Sequence, residues 1–134
     1  HPADLAAEVL PAALADLTAP AASAGIRATV SVDDVEGLDE ATVALIWRVA
    51  QESVRNAIRH SGASNLTVAV QGDPIAVTLE VIDDGDGFDP QALRDPVHYG
   101  LRGLQSLVAD AGATLGVDSA PGRGTTVRLE VSRR

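Results

Sequence analysis

The chain has 134 residues, 46 % of them hydrophobic, no cysteine, and a net charge of −9. That length suits one domain able to bury roughly two thirds of its unfolded surface, and the lack of thiols excludes disulfides and thiolate metal sites. All ten basic residues are arginine, so the acidic balance argues against a nucleic-acid backbone as partner and the missing lysine excludes a P-loop. No apolar run approaches the ~20 residues of a membrane span, and no signal peptide is visible. The chain reads as soluble by itself, with excision from a larger membrane-anchored protein left open, and any anionic ligand would need a metal ion or backbone amides to offset local repulsion.

In chain order, residues 3–24 form an alanine-rich helix that Pro11 and Pro20 divide in two. "IRATVSV", Ile26 to Val32, alternates like a strand. Asp39 to Arg59 is a long helix with Asp39 as its N-cap. "NLTVAVQ" and "IAVTLEVI" are strands of a hairpin through Gly72-Asp73-Pro74. Phe88 to Tyr99 is a loop, and Gly100 to Ala111 a short helix closed by Gly112. "ATLGVDS" and "TTVRLEVS" are the last strands, joined by "APGRG". Helices followed by a mostly antiparallel sheet predict an α+β two-layer sandwich.

The hairpin's second strand poses a chemical question. Ile75, Val77, Leu79 and Val81 share one face, and that parity continues to Asp83. A carboxylate on a core face costs several kcal/mol unless donors reach it. In the last strand Val127, Leu129 and Val131 are the apolar set, and their parity begins at Thr125. If the two strands are antiparallel neighbours, Asp83 and Thr125 fall at one end of the core. They would make a polar floor suited to a flat ligand with an amino donor, such as adenine; taken alone, a turn cap and an ordinary strand start fit equally.

Gly85 and Gly87 follow Asp83 as D-x-G-x-G and let the backbone pass close to a ligand. A calcium loop fails on spacing, because Gly87 at its sixth position puts Ile82 first and Leu93 twelfth. Asp84, Asp86 and Asp89 then read as solvated loop acids. On the long helix, Val43, Ile46, Trp47, Ala50, Val54, Ala57 and Ile58 form an apolar stripe, with Glu52, Asn56 and Arg59 opposite. That side is either a solvated face with an Arg48/Glu52 pair or, given Leu45 and Val49 on it, a covered metal–phosphate site. Glu52 and Asn56 are one turn apart and their oxygens can converge on magnesium. Gly100 and Gly103 open a helix whose amides favour phosphate, with Arg102 adding charge or simply solvated. "PGRGT" fits a hairpin turn as well as a ligand loop.

In this order the pieces resemble the ATP-binding catalytic domain of bacterial sensor histidine kinases. Those belong to the superfamily of gyrase, the Hsp90 chaperone, histidine kinases and MutL mismatch-repair proteins. "QESVRNAIRH" is similar to the N box, "DDGDG" to the first glycine box, "GLRGL" to the second and "GRGTT" to the third. The resemblance covers Leu38 to Val131, and the wording is nearest the nitrate-sensor and lipid-sensor subfamily.

It implies a Bergerat-type fold binding ATP and Mg²⁺. Asn56 would bind the ion, with Glu52 beside it, and Asp83 would take the adenine amino group, sharing a water with Thr125. Gly85 and Gly87 would border the adenine; Gly100, Leu101, Arg102 and Gly103 would lie by the phosphates with Arg59 and His60. Phe88 to Tyr99 would be a short ATP lid. The implied partners are a phosphoacceptor/dimerisation domain and a response regulator, with neither nucleic acid nor direct membrane contact, in the cytoplasm. None of the three histidines, His1, His60 and His98, sits in a phosphoacceptor motif, so the chain reads as an excised catalytic domain. Two alternatives remain open: an anti-sigma-factor-type serine kinase, and a degenerate nucleotide-binding regulatory domain.

Overall fold

The computed structural model describes residues 6–91 and 100–133. Its centre is a five-stranded sheet in the order β1-β2-β3-β5-β4, built from β1 (Arg27–Asp33), β2 (Asn65–Gly72), β3 (Ala76–Asp83), β4 (Thr114–Ser119) and β5 (Thr125–Ser132). The β1–β2 pair is parallel and the other three are antiparallel. A parallel pair needs a crossover, which α2 (Glu40–His60) supplies. Helix α1 (Leu10–Thr18) packs on α2 and β1, and α2 lies across β3 and β5. The α+β two-layer architecture read from the sequence is therefore observed.

Each element follows from its residues. In α2 the Asp39 carboxylate accepts from the Thr42 N–H at 2.8 Å, as its N-cap position predicts. Inward positions of the sheet are apolar: Leu66, Val68 and Val70 on β2, Val77, Leu79 and Val81 on β3, and Val127, Leu129 and Val131 on β5 are buried. The outer face is solvated and carries Glu80, Arg128 and Glu130. The β2–β3 turn closes on Asp73, whose Oδ1 accepts from the Ile75 and Ala76 N–H groups.

Four expectations are corrected. Ile75 belongs to the turn and is 78 % exposed, because the strand starts one residue later, at Ala76. The first helical region is α only over Leu10–Thr18 and 3₁₀ over Ala19–Ala24, where Pro20 has no N–H for an α-type bond; residues 1–5 lie outside the described residues. The helix expected over 100–111 is broken at 103–104, the site of Gly103, and α3 spans only Gln105–Asp110. On α2 the buried arc is wider than the predicted stripe. Leu45, Val49, Ser53 and Asn56 are buried, whereas Trp47 and Ile58 are half-exposed. On that second side of α2, Gly100 lies against the Glu52 carboxylate.

The loop after β3 is threaded by backbone contacts that only glycine permits. Gly124 has φ +70°, and a Cβ there would stand 2.2 Å from the Asp83 carbonyl oxygen. Gly124→Ala is therefore expected to cost about 2 kcal/mol or more in urea unfolding. Gly116→Ala, in a strand with open space around it, should be neutral or stabilise by up to about 0.5 kcal/mol. Equal effects of the two substitutions would contradict this packing.

Candidate functional site

The register of β3 against β5 pairs Asp83 directly with Thr125, and β4 against β5 pairs Thr125 with Ser119. A polar row thus crosses three strands at one end of the core, on the face that α2 covers. Above it lies a cavity of about 240 Å³ lined by Ser53, Asn56, Ala57, His60, Ser61, Val81, Asp83, Gly87, Phe88, Leu101, Thr125 and Val127. Val81 and Val127 give it apolar walls, and α2 contributes positions 53, 56, 57 and 60, one helical face three and four residues apart.

Asp83 is 9 % exposed. Burial raises its pKa, hydrogen bonds from the Gly85 and Thr125 amides oppose that rise, and the neighbouring Asp84 and Asp86 charges add to it. The Gly85 N–H reaches its Oδ1 at 2.9 Å. Asp83 is thus a partly compensated acid held against a cavity. Asp84, one residue on, has the opposite environment. Its two oxygens accept from the Ser64 and Asn65 amides and from the Asn65 side chain, which lowers its pKa. Rather than a free loop acid, Asp84 clamps the start of β2. Asp86 and Asp89 remain exposed, and the Asp89 side chain caps a local turn through the Gln91 N–H.

Asn56 is 8 % exposed, and its Nδ2 is the one buried side-chain N or O atom among the described residues without a hydrogen-bond partner. A buried amide N–H left unmade costs about 1–3 kcal/mol. Asn56 lines the cavity, so this N–H is open there to a water, an ion or a ligand atom.

The predicted positions divide. Asn56, His60, Asp83, Gly87, Leu101 and Thr125 line the cavity. Glu52 does not line it: its carboxylate lies where a Cβ on Gly100 would fall, 2.4 Å from Oε2, so Gly100 makes room for Glu52. Gly85 makes room for Ser61, since a Cβ there would stand 2.3 Å from the Ser61 carbonyl oxygen. Arg59 and Gly103 are exposed outside the cavity. Arg102 lines a neighbouring space of about 200 Å³ that shares Phe88 and Leu101 with the first. Of the expected lid, residues 92–99 lie outside the described residues.

Several lining residues were not singled out from the sequence. Val81 and Val127 share the parity of Asp83 and Thr125, a signal that was available. Ser53, one turn before Asn56, was likewise readable on the helix. Ser61 was not, because it lies beyond α2 and its place depends on how the chain turns back; its Oγ donates to the Ala57 carbonyl and accepts from the Ala63 N–H.

Residues 41–134 match the family model described as histidine kinase-, DNA gyrase B-, and HSP90-like ATPase. The chain is 32 % identical over 92 residues to the sensor histidine kinase YhcY of Bacillus subtilis (strain 168), a match covering 67 % of this chain and 24 % of that protein. It is 34 % identical over 88 residues to the histidine-protein kinase/phosphatase DegS of the same organism, covering 64 % of this chain and 23 % of DegS. The chain therefore spans about a quarter of the length of these relatives. In structure it is similar to the catalytic domain of histidine kinase ThkA, with TM-score 0.71 and 17 % identity over 93 % of this chain and 90 % of that one. It is also similar to full-length ShkA in complex with AMPPNP, with TM-score 0.73 and 21 % identity over 92 % of this chain and 29 % of that one. With a family model spanning more than half its length and a fold shared with kinase catalytic domains, the chain belongs to the histidine kinase-, DNA gyrase B- and HSP90-like ATPase family.

Proposed function

We propose that this domain binds Mg-ATP in the cavity over Asp83 and presents the γ-phosphoryl group to a histidine on an adjoining dimerisation helix. The phosphoryl group then passes to an aspartate of a response regulator, as in two-component signalling. The observation that carries the reading is the pairing of Asp83 with Thr125 at the floor of an apolar-walled cavity. A buried carboxylate there accepts from an exocyclic amino group, and Val81 and Val127 flank a flat ring. When bound, Mg-ATP supplies the transferable phosphoryl group, and its metal ion neutralises charge on the phosphates.

The chain's own residues bind and orient. The Asn56 side chain has an unmet N–H suited to a phosphate oxygen, and its amide oxygen is the hard donor type that magnesium takes, so it fits the edge of a metal–phosphate site. Among the described residues no cluster of three His, Cys, Asp or Glu could hold a metal ion, which suits an ion held mainly by phosphate oxygens and water. Glu52, held at Gly100 one turn from Asn56, is assigned to orienting a water or accepting a proton. His60 and Leu101 border the nucleotide, Gly87 closes the pocket beside the base, and Gly100, Arg102, Gly103 and Arg59 are assigned to the phosphate end. Catalysis here is positioning and charge neutralisation rather than covalent chemistry. No helix among the described residues is long and apolar enough to cross a membrane; the proposed use of ATP as phosphoryl donor supports a cytoplasmic assignment for the domain.

Asp83 supports the reading through its cost. Its pKa is raised in the fold, so its ionisation destabilises the native state. That penalty is absent below the ordinary carboxylate value of 3.8, grows as pH rises through the folded pKa, and is full above it. Asp83→Asn should raise Tm at pH 7, with the gain shrinking to nothing in acid, while nucleotide affinity falls at least about tenfold. A neutral-pH Tm at or below the parent's would remove this account of Asp83. Asn56→Ala should weaken Mg-ATP binding by about 10–100-fold and reduce the response of affinity to Mg²⁺. If both variants bind ATP as tightly as the parent, the site is misplaced. Incubation with the cognate helical domain and labelled ATP should yield acid-labile, histidine-linked phosphate; serine-linked phosphate or none sinks the histidine-kinase assignment.

A further inference from the structure

We propose that Ser119 is a positioning residue that sets the base selectivity of this site by fixing the hydroxyl hydrogen of Thr125; the inference rests on the adenine-nucleotide reading above. Ser119 is not among the cavity-lining residues. It closes the polar row on β4, directly opposite Thr125, and its Oγ has three partners. The Phe88 N–H donates to it at 2.9 Å, the Gly124 carbonyl accepts from it at 2.9 Å, and the Thr125 Oγ1 lies 2.8 Å away.

Hydrogen accounting decides the direction of the last bond. A serine hydroxyl has one hydrogen and two lone pairs. The carbonyl of Gly124 can only accept, so the Ser119 hydrogen is committed there. One lone pair of Ser119 takes the Phe88 N–H, and the other is left for Thr125. Thr125 must then be the donor in its bond to Ser119, and its oxygen faces the cavity with lone pairs alone. Beside it the Asp83 carboxylate also offers acceptors. The floor therefore presents acceptors only, which favours a ring edge bearing an amino group and disfavours one bearing an oxo group in the same place.

The same Oγ anchors the amide of Phe88, a cavity wall. A single hydroxyl outside the pocket thus ties the base-recognition floor to the wall beside it. Without that hydroxyl, the Thr125 hydrogen is free to turn toward the ligand and donate to an oxo group.

The test compares ADP with inosine diphosphate, which carries an oxo group where adenine carries the amino group, by calorimetric titration of the parent, Ser119→Ala and Ser119→Thr in the presence of Mg²⁺. The parent should prefer ADP, Ser119→Ala should lower the ADP-to-IDP affinity ratio by about five- to tenfold, and Ser119→Thr should restore it. A merely structural role would weaken both nucleotides together and leave the ratio unchanged, and that result overturns the inference while leaving the adenine reading intact. A parent that fails to prefer ADP overturns the adenine reading and the selectivity claim with it. Should Ser119→Ala not fold, the parent alone decides: its Thr125 hydroxyl proton should give a nuclear magnetic resonance signal protected from exchange with water, and fast exchange overturns the tether.

Discussion

An ionisable side chain on the inner face of a sheet is the constraint around which the rest of this domain is arranged. Asp83 continues the apolar parity of Val77, Leu79 and Val81 and ends at the core's open end, 9 % exposed. Two backbone amides reach it without abolishing the cost of its burial. A fold tolerates such a residue where its acceptors are wanted by something else, and the cavity above it supplies the place. Near Asp83 the Gly85 and Thr125 amides donate to it, Leu66 and Thr125 pair with it across the sheet, and Gly124 leaves room for its carbonyl.

The neighbouring acid shows how local geometry separates two identical side chains. Asp84 accepts from two amides and one side-chain amide at the start of β2. Its pKa is lowered, whereas that of Asp83 is raised. By linkage Asp84 stabilises the fold at neutral pH, a contribution lost as pH falls through its folded pKa, while Asp83 weakens the fold over its own titration range as pH rises. Asp84 holds the framework, while Asp83 is left at the cavity. The glycines after them serve mainly the protein itself, since Gly85 admits the Ser61 carbonyl, Gly87 the Ala120 carbonyl and Gly124 the Asp83 carbonyl. Close packing of three backbone segments is what places Asp83, Phe88 and Thr125 around one cavity.

The α2 helix joins this floor to the opposite wall. Its buried arc includes Ser53 and Asn56 as well as the apolar positions, so one helix contributes both to core packing and to the lining of the cavity. The orphan Nδ2 of Asn56 and the partly compensated Asp83 are on facing elements. Neither is explained by stability, and both residues border the same cavity.

Much of this was readable in order along the chain. Strand alternation fixes which side of β3 and β5 carries Asp83 and Thr125, helical period puts Glu52 one turn from Asn56, and Asp39 announces the start of α2. These are local rules with periods of two and 3.6 residues, and they need no knowledge of the rest of the molecule. Tertiary structure alone decided that Asp83 and Thr125 are register partners and that Glu52 turns to Gly100 instead of the cavity. It alone placed Ser61 at the pocket and joined Ser119 to Thr125 and Phe88. Those outcomes depend on which strands become neighbours and where the chain turns back, and contacts made across strands and turns carry no periodic trace in the sequence.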